Sequence, residues 1–168
     1  MARSSTSGAL AYRPLEAPWE PALELFRFAG AWAPPPADLG AGWGAWDGER
    51  LAGALLMERA GATAMLHGPV VVAPPGMPAD DVLGIASELV AQALAAAAPA
   101  GIDTVFARPQ SLDRLWVRLG FIPIPEAELP RELSGRPGIG LFGWRGGTAL
   151  WSSAGRGGSR SALARGEH

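Results

Sequence analysis

Residues 63–121 constrain the fold more than any other stretch: TAMLHGPVVVAPPGMPADDVLGIASELVAQALAAAAPAGIDTVFARPQSLDRLWVRLGF reads as strand, long helix, strand, short helix. An apolar run (Met65, Leu66, Val70, Val71, Val72) meets Pro74-Pro75-Gly76, where extended chain must end. Asp80 and Asp81 follow where carboxylates complement the positive end of a helix, and Val82, Ile85, Leu89 and Ala93 recur at helical spacing. Pro99-Ala100-Gly101 stops that helix, and 102–107 is a second apolar strand. A strand returning to its sheet through a helix lies parallel to the first, with a right-handed crossover.

Other features bound the function. A chain of 168 residues, close to half apolar, suits one domain with a real core. The formal charge of −2 makes no electrostatic case for nucleic acid or an anionic membrane. Without cysteine there is no disulfide, no thiolate nucleophile and no cysteine-held metal, and His67 and His168 alone do not make a metal site. Residues 1–9 lack a secretory pattern, and no run of about 20 apolar residues is free of Pro, Gly and charge. A cytoplasmic protein is expected.

In chain order, 1–9 is expected to be disordered, 10–145 to form the single domain, and the Gly, Ser and Arg-rich 146–168 to be a disordered tail. Residues 10–15 suit a first strand. Residues 16–29 suit a helix with Trp19, Leu23 and Phe26 on one face and Pro18 and Pro21 in its first turns. Three consecutive prolines make 33–42 a loop. The Asp47-Gly48-Glu49 turn joins 43–46 and 50–59 as a hairpin, and Gly61 allows a further turn into 63–73. After the parallel unit, 111–119 reads as a short helix capped by Ser111, with Leu112, Leu115, Trp116 and Leu119 on one face. Residues 121–125 and 139–145 flank a loop holding Gly135-Arg136-Pro137-Gly138, and close a second hairpin.

This order of elements, with the hairpin WDGERLAGALL, the strand-to-turn VVVAP and the stretch ARPQSLDRLWVRLGFIPI, resembles the GCN5-related N-acetyltransferase (GNAT) superfamily over about residues 10–145. The resemblance implies an α/β (α+β) fold: a mixed sheet whose antiparallel N-terminal strands lead into a parallel strand-helix-strand unit splayed at a bulge. Gly68-Pro69 fits the bulge, since Pro cannot donate to a ladder and Gly tolerates the kink. It further implies acetyl-CoA, or another acyl-CoA, with backbone contacts from Val70, Val71 and Val72, a phosphate loop at Gly76 and Met77, and a side contact from Gln110.

Two departures from the family pattern stand out. The phosphate loop of the family reads Arg/Gln-x-x-Gly-x-Gly/Ala, whereas PGMPADDVLGIA has no Arg and places Asp80 and Asp81 at the helix start, where they would repel a pyrophosphate. Trp116 stands where the family often has an acidic Tyr, and its indole cannot protonate a thiolate near neutral pH; Tyr12 lies on the first strand, a poor substitute. A base for the attacking amine is assigned first to His67, whose ordinary pKa is near neutrality, and second to Glu58, with core or solvated-edge roles as the alternatives.

The resemblance implies an acyl-CoA-dependent N-acyltransferase acting by direct attack of a primary amine, either a small molecule or a peptide. Glu58 or Asp38 would attract a cationic acceptor. The rival reading is a degenerate member of the same fold serving as a binding or regulatory module, with a homodimer as one form.

Overall fold

The computed structural model describes residues 9–109 and 113–145. Along the chain come β1 (Ala11–Leu15), α1 (Glu20–Phe28), β2 (Leu39–Asp47), β3 (Arg50–Ala60), β4 (Thr63–Val71), α2 (Ala79–Ala97), β5 (Thr104–Ala107), α3 (Asp113–Arg118), β6 (Ile122–Pro123) and β7 (Phe142–Arg145). The strands form one sheet in the order β1-β2-β3-β4-β5-β7-β6. Only β4 and β5 pair in parallel, as expected of strands joined through α2, and the neighbours on either side are antiparallel. The two edge strands each contain a proline, Pro14 in β1 and Pro123 in β6.

Strand alternation sorts the side chains between two layers. Leu55 and Met57 of β3, Ala64 and Leu66 of β4, and Val105 of β5 meet Ile85, Ala86, Leu89, Val90 and Ala93 of α2. Leu115, Trp116 and Phe121 join this layer. On the opposite face Ala54 and Leu56 meet Phe26 of α1, and farther along Met65 and Phe106 are covered by Leu129, Leu133 and Leu141 from the connection between β6 and β7. That connection folds as two 3-10 turns, Glu126–Glu128 and Arg131–Leu133.

The parallel unit, the hairpins and the mixed sheet match the sequence expectations, with three differences. The first helix begins at Glu20 rather than near residue 16, with Pro21 inside its first turn, where no amide is needed. Residues 33–42 are not all loop: after a 3-10 turn at Pro36–Asp38, β2 begins at Leu39. The glycines of GAGWG serve close packing within that strand. A Cβ on Gly44 would fall 2.8 Å from Leu51 and Trp46 and 2.9 Å from Leu15. The closing hairpin shrinks to Ile122–Pro123 against Phe142–Arg145. The expectations for residues 1–8, Gln110, Ser111, Leu112 and 146–168 lie outside the described residues. Among the described residues no helix is long and apolar enough to cross a membrane.

Candidate functional site

β4 and β5 run together from Thr63↔Thr104 to Leu66↔Ala107 and then part. The cause lies in β4. Its register against β3 goes from His67↔Leu56 to Val70↔Ala54, so Gly68 and Pro69 oppose the single residue Leu55. This is the expected bulge, with a cis Gly68-Pro69 bond and Gly68 at φ +93°. The extra residue keeps both His67 and Val70 on the α1 face although they are three apart. Beyond it, the Val72 amide donates to Ala52 O of β3 at 2.8 Å. Alternation then turns the Val71 amide and carbonyl the other way, towards the space that β5 has left.

The chain continues through an exposed turn in which Gly76 takes φ +87° and the Met77 amide donates to Pro74 O. α2 starts without a side-chain cap, and its first intrahelical bonds run from Asp81 and Val82 to Pro78 O. The amides of Ala79 and Asp80 precede those bonds and are free of the helix ladder. Asp80 and Asp81 are exposed and border a cavity of about 590 Å³ whose other walls include Tyr12, Arg50 and Val72. That cavity lies on the β1 to β3 side of the helix start, away from β5.

On the α1 face, next to the bulge, the two sequence candidates for a base come together. His67 Nε2 lies 3.0 Å from Glu58 Oε1, and the two side chains are 1% and 4% exposed. Glu58 is therefore no solvated edge residue. The approach is not that of a directed hydrogen bond, and His67 Nε2 has no hydrogen-bond partner among the described residues. The Trp32 ring meets the imidazole edge to face, with centroids 5.1 Å apart.

Arg136 completes the cluster from the β6 to β7 connection. Its Nε is 3.1 and 3.2 Å from the two Glu58 oxygens and its Nη2 donates to Oε2 at 2.7 Å. The same guanidinium donates to Ser134 O at 2.7 Å and Glu132 O at 3.0 Å. Burial pushes the Glu58 carboxyl up, but His67 and Arg136 outweigh it and bring the group from 4.5 down to about 2. Sequence reasoning missed Arg136, which is 78 residues from Glu58. In sequence it belonged to a Gly-Arg-Pro-Gly turn, with nothing to mark a long-range partner.

Of the other candidates, Val70 is buried towards α1, Val71 and Val72 are half-buried, Gly76 is exposed and Met77 half-buried. Val72 and Met77 border the cavity beside Asp80 and Asp81, and Gln110 lies outside the described residues. Trp116 is fully buried, edge to face with Phe121 at 5.0 Å, and its indole N–H has no partner among the described residues. Trp116 is thus a core residue. Tyr12 is moved further from acid duty: burial, then the Glu88 carboxylate, raise it from 10.0. Among the described residues no group of three metal-ligating side chains occurs.

No protein-family model and no curated protein matches this sequence. Solved structures do match in three dimensions. An acetyltransferase of the GNAT family from Staphylococcus aureus Mu50 is similar with TM-score 0.63 and 14% identity, over 82% of this chain and 99% of that one. The ribosomal-protein-S18-alanine N-acetyltransferase from Escherichia coli is similar with TM-score 0.59 and 14% identity, over 81% and 93%. N-acetylglutamate synthase from Neisseria gonorrhoeae, complexed with coenzyme A and L-arginine, is similar with TM-score 0.61 and 15% identity; the match takes in 83% of this chain but only 34% of the synthase. The bulged β4, the parting of β5 and these likenesses agree on one architecture: the chain has the fold of the GNAT acetyltransferases.

Proposed function

We propose that this protein is an acyl-CoA-dependent N-acyltransferase that passes an acyl group to a primary amine by direct attack. The observation that carries the reading is the splay itself. At Val71 a strand edge lies open beside the bulge, and that edge leads to the uncapped start of α2. Two structures of similar fold, both of N-acetylglutamate synthase from Neisseria gonorrhoeae, hold coenzyme A.

The residues present fit an acyl-CoA through main chain rather than side chain. Val71, with Val70 and Val72 on either side, would hold the pantetheine as an added strand is held. Gly76, Met77 and the amides of Ala79 and Asp80 would face the phosphates, and Gln110 would make a side contact. Asp80 and Asp81 border the same cavity as Val72 and Met77, so their charge stands against the phosphates, which main-chain amides must hold in spite of it. When bound, the thioester would supply an activated acyl carbonyl, the C–S bond breaking as the C–N bond forms and the sulfur departing as a thiolate that needs no acid from the chain. His67 takes the proton that the amine gives up as it attacks. Glu58, brought down to about 2, is too weak a base for that step and instead steadies the imidazolium that results. The amine is a small molecule or a peptide end.

A second reading, a binding module without catalysis, draws on the absence of any cationic side chain between Ala73 and Asp81. Calorimetric titration with acetyl-CoA, with desulfo-CoA and free pantetheine as controls, separates the two. Micromolar binding that depends on the pyrophosphate is the expected result. No heat up to millimolar acetyl-CoA would retire the enzyme in favour of the module.

A further inference from the structure

The connection between β6 and β7 lies across the sheet face as a strap, tied at its start by a forked ion pair between Glu126 and Arg108 and at further points beyond. Leu129 and Leu133 anchor it over Met65 and Phe106. Farther on, the Ile139 amide donates to Pro109 O at 2.6 Å, and an added Cβ on Gly138 would fall 2.5 Å from Arg108 Cγ. Between these points Arg136 reaches inward to Glu58.

Apolar, main-chain and Arg108–Glu126 contacts already hold such a segment, and a buried ion pair adds little over a well-packed apolar substitute of similar volume even where breaking it is costly. The Arg136–Glu58 contact therefore calls for another explanation. Glu58 sits in the layer beside the bulge, with His67 between it and the splay. Its carboxylate holds a guanidinium in a forked grip, the geometry in which carboxylates recognise that group. Asp38 adds its attraction to the same guanidinium. His67 Nε2, buried 3.0 Å from Glu58 Oε1, makes no well-aligned hydrogen bond among the described residues. The Arg136 side chain is 23% exposed, so a competitor can approach it from solvent.

We propose that Glu58 is the recognition point for a guanidinium or second ammonium carried by the acceptor amine, and that Arg136 fills this point as a built-in competitor which the acceptor displaces. Calling that ligand the acceptor rests on the acyltransferase reading; the cation site does not. An internal competitor lowers apparent affinity by the fraction of molecules in which the point is free.

The test uses the full chain without acyl-CoA, and agmatine, which joins a guanidinium to a primary amine. Agmatine should raise the Tm of the Arg136→Ala protein saturably, while the wild type needs roughly tenfold more agmatine or beyond. The double variant Arg136→Ala, Glu58→Gln should show no shift, and pentylamine, with no second cation, should shift none of them. A folded Arg136→Ala protein that ignores agmatine, or a double variant that responds equally, overturns the proposal. Should Arg136→Ala not fold, the wild-type protein decides by NMR. The Arg136 Nε–H signal should move as agmatine saturates, and a signal that stays in place overturns the proposal. Acetyl-CoA binding with a silent agmatine titration sinks this proposal alone. The reverse result keeps the cation site and retires the acyltransferase.

Discussion

Glu58 lies between an imidazole and a guanidinium, and its ionisation is tied to folding. Its folded value of about 2 lies below the ordinary 4.5, so the folded state binds fewer protons between those limits. The stabilisation is complete above pH 4.5, is lost as pH falls towards 2, and is worth about 3 kcal/mol. Denaturant melts across that range should show wild-type stability falling with acid and the Glu58→Gln protein changing much less. Equal slopes would mean that the contacts with His67 and Arg136 do not persist in solution. Trp116 makes a different test. Its N–H has no partner among the described residues, and an unpaired buried donor costs about 1–3 kcal/mol, so Trp116→Phe, which removes that donor and keeps an aromatic ring, should cost well under the roughly 3–5 kcal/mol of a truncation to Ala. A full loss would reveal a partner for the indole. At this scale the sequence marked His67 and Glu58 separately by type and strand position. Their meeting depends on β3–β4 register, and Arg136 on a chain reversal that no local pattern encodes.

Gly68 carries the bulge, and so the splay. At φ +93° any other residue is strained, and a Cβ there would fall 3.0 Å from Val70 N and from the Phe26 ring and 3.1 Å from Ala54 O. Gly68→Ala should cost on the order of 1–3 kcal/mol by chemical denaturation. It should also weaken acetyl-CoA binding more than a surface change of equal cost; unchanged stability and affinity would show that the bulge tolerates a side chain. The elements around it were readable to differing degrees. The parallel unit was plain because period, Pro-Gly stops and helix-start carboxylates agree over a long stretch. The start of β2 reads as loop because of the three prolines before it, and Gly42 belongs to the strand through close packing against Trp19 and Leu56, which lie elsewhere in the chain. The β6 to β7 connection was read as a bare loop because its 3-10 turns are short and bury only Leu129 and Leu133, by contact with β4 and β5.

At the level of the whole molecule, a ligand that bridges the parted strands couples the two layers. Acetyl-CoA at about a hundred times its Kd should stabilise the fold by about 2.7 kcal/mol, measurable as a rise in Tm. Desulfo-CoA should do nearly as well, since the contacts inferred run through main chain and phosphate. A rise with free pantetheine alone would move the affinity away from the start of α2. The sheet also has a bearing on assembly. Pro14 and Pro123 sit on its two outer strands, and neither can offer an amide hydrogen to a newcomer. Lateral growth of the described sheet, whether by self-templated stacking or by a partner's strand, thus meets a missing donor on each flank.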